Sequence, residues 1–217
     1  MSSLPTPPAM RIKSRWFREG ADHDAAEQAS AMAFIVWRVA VNMLKRMRAA
    51  EFDVDAGAPY FAFVQEALVF LVAVADRLAH QRLPAESRVA FTTALVRHVA
   101  RHVQENADDL LAPPPEGGPG HGDAFIDLFN EVCAHYADFD ADPRPDPAAT
   151  GFTPGFAFVR YLGVRLEPVL PPAQRRWVLD QVMAIEAPEA VEIVQRSMRE
   201  LFDPTPRRAR GVRLSGD

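Results

Sequence analysis

Cysteine is nearly absent from this chain. Cys133 is the only one, so an intramolecular disulfide and a thiolate metal cluster within one chain are both excluded. A basic field is absent too. The formal net charge is −5, which leaves no global positive potential to hold nucleic acid. No nucleic-acid partner is therefore expected. The first twenty residues, MSSLPTPPAMRIKSRWFREG, contain no apolar core of signal-peptide type. The two most apolar windows, AMAFIVWRVAVNML and ALVFLVAVA, fall short of the ~20 apolar residues of a membrane span. Arg38 and Asn42 interrupt the first of them. These absences together predict a cytoplasmic protein with no membrane span.

Catalytic signatures are missing as well. There is no Gly-x-Ser-x-Gly elbow, no phosphate-binding loop and no paired-glycine dinucleotide fingerprint. No period of 20–50 residues repeats, which argues against a solenoid. Strands and helices do not alternate along the chain, which argues against a Rossmann-like sheet.

What remains is helical. The 217 residues are 48% hydrophobic and 24% charged, a globular balance with material for a sizeable core. The spacing predicts an all-α fold, a single bundle of about six or seven helices over residues 21–203. A flexible N-terminal arm (1–20) precedes it, and a basic, disordered tail (204–217) follows it. The first helix runs from about Asp22 to Ala50, with Asp22 or Asp24 as cap and Lys45, Arg46 and Arg48 suited to its C-terminal dipole. The second begins near Pro59, a residue favoured in a first turn, and reaches Arg82. The third covers about Ala85 to Leu111. Proline and glycine in APPPEGGPGHG (near 112–122) forbid regular structure, and a fourth helix follows from Asp123 to Phe139. DADPRPDPAATGFTP (near 140–154) is a second loop. Residues 155–170 mix aromatic and β-branched residues, so helix is favoured there with an extended segment as the alternative. The last two helices divide at Pro188.

Charge in the second helix, FVQEALVFLVAVADRLAH, needs an explanation. At 100° per residue, Glu66, Ala73, Asp76 and His80 form one narrow stripe on a helix that is otherwise apolar all round. Such a helix belongs at the centre of a bundle. Arg38, with apolar neighbours on both sides, is the expected ion-pair partner of Glu66, with Asp76 second. Asp76 and His80, four apart, are expected to hold one another.

Glu131, His135 and Asp138 repeat this pattern on the fourth helix, and His98 and His102 lie four apart on the third. Carboxylates and imidazoles on facing helices are how bundles hold divalent metals. If the stripe were a metal site, Asp76, His80, Glu131 and His135 would converge on one ion. The Glu-x-x-His spacing of di-metal carboxylate bundles is absent, so structural ion pairing is the favoured reading and no cofactor is expected. His23 and Glu27 read as a first-turn surface pair, and Cys133 as a core thiol. Arg160, Arg165, Arg175 and Arg176 cluster with Tyr161 and Trp177. That cluster fits either an acidic partner or arginines stacked on their own aromatics.

The functional expectation is a non-enzymatic protein-interaction module, an adaptor, assembly factor or regulator. The alternative is a bundle holding a metal or small ligand through its carboxylate–histidine pairs. A two-fold homodimer is expected, because the first two helices are apolar over more than one face.

Overall fold

The computed structural model describes residues 25–142 and 151–203. The arm, the tail, Asp22, His23, Asp24 and the middle of the second loop lie outside them. Seven α-helices are built: α1 (Ala25–Ala49), α2 (Ala58–Arg82), α3 (Ala85–Leu110), α4 (His121–Ala137), α5 (Phe156–Leu166), α6 (Arg175–Gln181) and α7 (Ala187–Phe202). There is no strand among the described residues, and the only β-type pairing is an isolated bridge, Ala141 to Pro154. The all-α class is as the sequence predicts, and residues 156–166 form the helix favoured there.

α2 is the axis of the molecule. From Ala67 to Ala75 every residue is buried, because neighbours stand on nearly all sides. α1, α3, α4, α5 and α7 each pack on α2. Around it they form a ring in the order α7, α1, α3, α4, then α5, which returns to α7 through the segment 182–186. α2 is long and apolar enough to cross a membrane. The window ALVFLVAVA covers only part of this apolar stretch. Its apolar residues are buried inside the chain, as in the core helix of a bundle. The surplus apolar surface that suggested a dimer is, for α2, absorbed within the chain.

α7 begins at Ala187 with Pro188 in its first turn, as expected, but the chain does not break there. α6 and α7 are joined by a π-helical turn, Val182–Glu186, and the helix continues through the proline. Proline lacks an N–H, and its ring collides with the carbonyl four residues back. Here that carbonyl belongs to Ala184, inside the wider π turn. The same turn carries Glu186 into the interior, fully buried. There it accepts from Arg46 Nε at 2.9 Å and from Gln181 Nε2 at 3.2 Å.

One glycine fixes the seat of α5. A Cβ on Gly163 would lie 2.5 Å from Leu179 Cδ1 and 3.4 Å from the Leu179 Cα. The absence of a side chain lets α5 and α6 approach closely.

Candidate functional site

The ring around α2 is closed by backbone packing everywhere except between α4 and α5, whose backbones hardly approach one another. Aromatic side chains bridge that gap. Tyr136 and Phe158 rings lie 4.5 Å apart, Tyr136 and Tyr161 5.2 Å, Phe139 and Tyr161 5.5 Å, and Phe152 and Phe158 5.5 Å. Edge and tilted contacts at these distances are favourable for aromatic quadrupoles. Phe70 of α2 meets Tyr136 and Phe158 from below. Burial pushes the Tyr136 phenol well above its ordinary range.

The charged stripe of α2 faces this side. Glu66 receives a two-pronged bond from Arg165 of α5, with Arg165 Nε at 2.9 Å and Nη2 on the second oxygen. Asp76 receives the same from Arg88 of α3, with Nε at 2.9 Å, and Thr92 Oγ1 donates to it at 2.7 Å. Fork-to-carboxylate geometry of this kind gives strong, oriented ion pairs. These bonds hold the Arg88 and Arg165 guanidiniums above their ordinary pKa. Arg77 of α2 donates from Nη2 to the carbonyls of Tyr136, Ala137 and Phe139, at 3.1, 2.8 and 3.1 Å. It thereby satisfies the C-terminal carbonyls of α4, which have no helical partner.

Two expectations fail here. Arg38 is not the partner of Glu66 or of Asp76. It is exposed, with its guanidinium 5.7 Å from the Phe34 ring centre. Apolar neighbours in sequence misled, since Val36, Val39 and Ala40 point inward on other sides of α1 while Arg38 shares the outer stripe with Phe34. Asp76 and His80 do not hold one another either. Arg88 stands on both, with its Nη1 3.3 Å from His80 Nδ1.

The metal constellation does not assemble. Among the described residues no group of three or more His, Cys, Asp or Glu side chains is arranged to hold an ion. Asp76 is committed to Arg88 and Thr92. His80, Glu131 and His135 are exposed, and the His135 ring lies against Tyr161 at 5.6 Å. His98 and His102 sit elsewhere on α3, His102 with its ring 6.1 Å from that of Trp37. Burial, Arg101 and His102 lower the His98 pKa.

Cys133 is a half-buried thiol packed against the edge of the core. It lines a small cavity of about 120 Å³ with Ala73, Asp76, Arg77, Arg88 and Tyr136. Burial and the Asp76 carboxylate push its thiol up to about 11, so it is protonated and a poor nucleophile at neutral pH.

The arginine cluster divides. Arg176 stacks on Trp177 at 4.8 Å, Arg175 donates to the Leu170 carbonyl, and Arg165 holds Glu66. Arg160 remains on the outer face of α5 and lines an open groove with Phe139, Phe156, Ala157, Tyr161 and Val164. The groove encloses about 460 Å³, and Phe156 at its end is 72% exposed. Glu131 of α4 lies close enough to Tyr161 and Arg165 to act on both electrostatically. Sequence reasoning named Arg160 and Tyr161 but missed the groove. The available signal was spacing: Phe156, Arg160 and Val164, and separately Ala157 and Tyr161, recur every four residues on one helical face.

No family model, no curated protein and no solved structure matches this chain.

Proposed function

We propose that this protein is a helical interaction module that docks an amphipathic segment of a protein partner in the groove that runs along α5 beside Phe139, just past the end of α4. The observation that carries the reading is the groove itself. Phe156 is exposed there, with Phe139, Tyr161 and Val164 partly exposed beside it, where the described helices around α2 lack backbone closure. Exposed aromatics of this kind anchor partners, since burying them supplies most of the affinity of an interface. A helix laid along a groove between two helices is a recurring mode of peptide recognition. The ion pairs beneath are already satisfied, so the site offers shape and apolar contact rather than reacting groups. Charge around it is mixed, since Arg160 lines the groove and Glu131 of α4 is near enough to Tyr161 to act on it electrostatically.

Selection from a displayed peptide library tests this. The expected result is a set of amphipathic, aromatic peptides that bind the full-length protein and lose at least tenfold affinity when Val164→Glu places a carboxylate in the groove. Peptides that bind Val164→Glu and wild type equally would overturn the reading.

A further inference from the structure

The charges around the groove bear on which partner it fits, because they are divided between its two sides. Tyr161 turns toward α4, where the His135 ring lies 5.6 Å from its own. Glu131, one helical turn before His135, is on that side too and near enough to Tyr161 to act on it. Asp138 and Asp140, exposed on either side of Phe139, extend the same edge. Arg160 precedes Tyr161 by one residue, so it is turned 100° around α5, away from α4 and toward Gly163, where α6 packs. The next charge on the Arg160 stripe is Glu167, about 10 Å further along the axis. One side of the groove is therefore acidic and the other carries a cation, with Phe156, Ala157 and Val164 between them.

Both charges are unpaired. Among the described residues, neither Arg160 nor Glu131 is held in an ion pair. Arg165, on the inner side of the same helix, is by contrast committed to Glu66. Opposite charges across an interface fix its register and exclude wrong occupants. A foreign partner would have to carry the inverse of this pattern. A second copy of the chain carries it by symmetry, since in a two-fold contact residue i of one copy meets residue j of the other, and j meets i. With the axis along the groove, the acidic side of each copy falls on the Arg160 side of the other. The two copies of Phe156, the most exposed large hydrophobic residue among those described, then cover one another.

We infer that the partner of the groove is a second copy of this chain, docked as a two-fold dimer through the outer face of α5, with Arg160 of each copy paired to Glu131 of the other. This rests on the groove being a docking site, and it names the occupant. It also moves the dimer expected from the first two helices onto α5, since the apolar residues of α2 are buried inside the chain.

A contact built on one helix of 11 residues and its flanks is small. It belongs with weak, transient interfaces, for which a dissociation constant of about 100 μM is expected. The dimer therefore forms in concentrated solution, while the dilute chain is monomeric and keeps the groove open.

The experiment is sedimentation equilibrium of the full chain from about 10 to about 500 μM, a range that brackets this constant. The expected mass rises from 24.1 kDa toward twice that value. Arg160→Glu sets carboxylate against carboxylate on both sides of the axis, and Glu131→Arg sets cation against cation. Both residues are exposed, so neither change disturbs the fold. Each variant alone should associate at least tenfold more weakly than the wild type. Mixed in equal amounts, the two variants should regain the lost affinity, because the heterodimer keeps one Arg160–Glu131 pair and gains one reversed pair. Wild type that stays monomeric throughout would overturn the inference, as would single variants that associate like the wild type or a mixture no tighter than they are. If the wild type is monomeric and a library-selected peptide still needs Val164, the inference alone falls and the groove takes a foreign partner. If Val164→Glu changes neither self-association nor peptide binding, the docking reading falls with it.

Discussion

The two sides of α2 are built differently. Toward α1, α3 and α7 the helix backbones pack directly, and the buried residues include Ala33, Val36, Ala40, Val99, Ala190 and Val194 beside the Phe91–Phe202 ring pair at 5.3 Å. Small and β-branched residues let backbones approach and leave little at the surface. Toward α4 and α5 the spacing is set by rings, and the charges of α2 are tied down by Arg165 of α5 and, at the boundary with the closed side, by Arg88 of α3. The first side is a closed interior. The second has a filled floor and an open top, because bulky rings that hold two helices apart also leave a furrow between their outer faces. A polar stripe in a central helix thus marks the side where the packing is incomplete, without implying chemistry there.

The contrast is sharpest within α5, where Phe158 points to the floor and Phe156 to the furrow. Phe158→Ala should cost about 3–5 kcal/mol, the range for a buried phenylalanine, whereas Phe156→Ala should stay within about 0.5 kcal/mol. Urea unfolding of the two variants checks this. Equal losses would mean that Phe156 is covered and the top is not open. Next in size is Asp76→Ala, which removes the partner of a half-buried Arg88 and the acceptor of Thr92. About 2–3 kcal/mol is expected, below the ~3–5 kcal/mol of a fully buried broken pair. Arg38→Ala, outside the stripe, should change stability by less than about 0.5 kcal/mol. A large effect at Arg38 would restore it as a structural ion-pair residue. Gly163→Ala drives a methyl into Leu179 and should cost about 1–3 kcal/mol by overpacking, with no comparable loss at the exposed Ala157→Gly.

Two smaller effects concern titration. Alkylation of Cys133 at pH 8 should run roughly a hundredfold slower than that of an ordinary thiol, and should accelerate as pH approaches about 11. A rate equal to that of free cysteine would place the thiol outside its cavity. His98, on the closed side, has a folded pKa below its unfolded value. The unfolded chain therefore binds the proton more readily, so stability is intact above the unfolded pKa of ~6.5 and declines as pH falls below it. His98→Gln should flatten that acid limb, and an unchanged limb in thermal melts at pH 5–7 would contradict it.

Much of the fold could be read from the sequence because its signals are local. Pro59 opens α2, the PPPEGGPG run ends α3, and the stripe of Glu66, Asp76 and His80 correctly made α2 the central helix. The partners of that stripe were not legible. Arg165 meets Glu66 across 99 residues of sequence, and no spacing rule reaches so far. Arg88 is only twelve residues from Asp76, but it was passed over because His80 offered a nearer partner on the same helix. Arg38 was misjudged from its sequence neighbours, though its exposed stripe of Ser30, Phe34, Arg38 and Asn42 at fourfold spacing was there to see. The groove depends on how far rings hold α4 from α5, a distance that only the packed structure reveals.

The central claim is that partners dock on the open side of α2. The most direct test places one carboxylate on each side, Val164→Glu in the furrow and Phe34→Glu on the exposed stripe of α1, and measures the affinity of one selected peptide for both. The account predicts at least a tenfold loss for Val164→Glu and no change for Phe34→Glu. A loss confined to Phe34→Glu would move the docking surface to α1 and contradict the account.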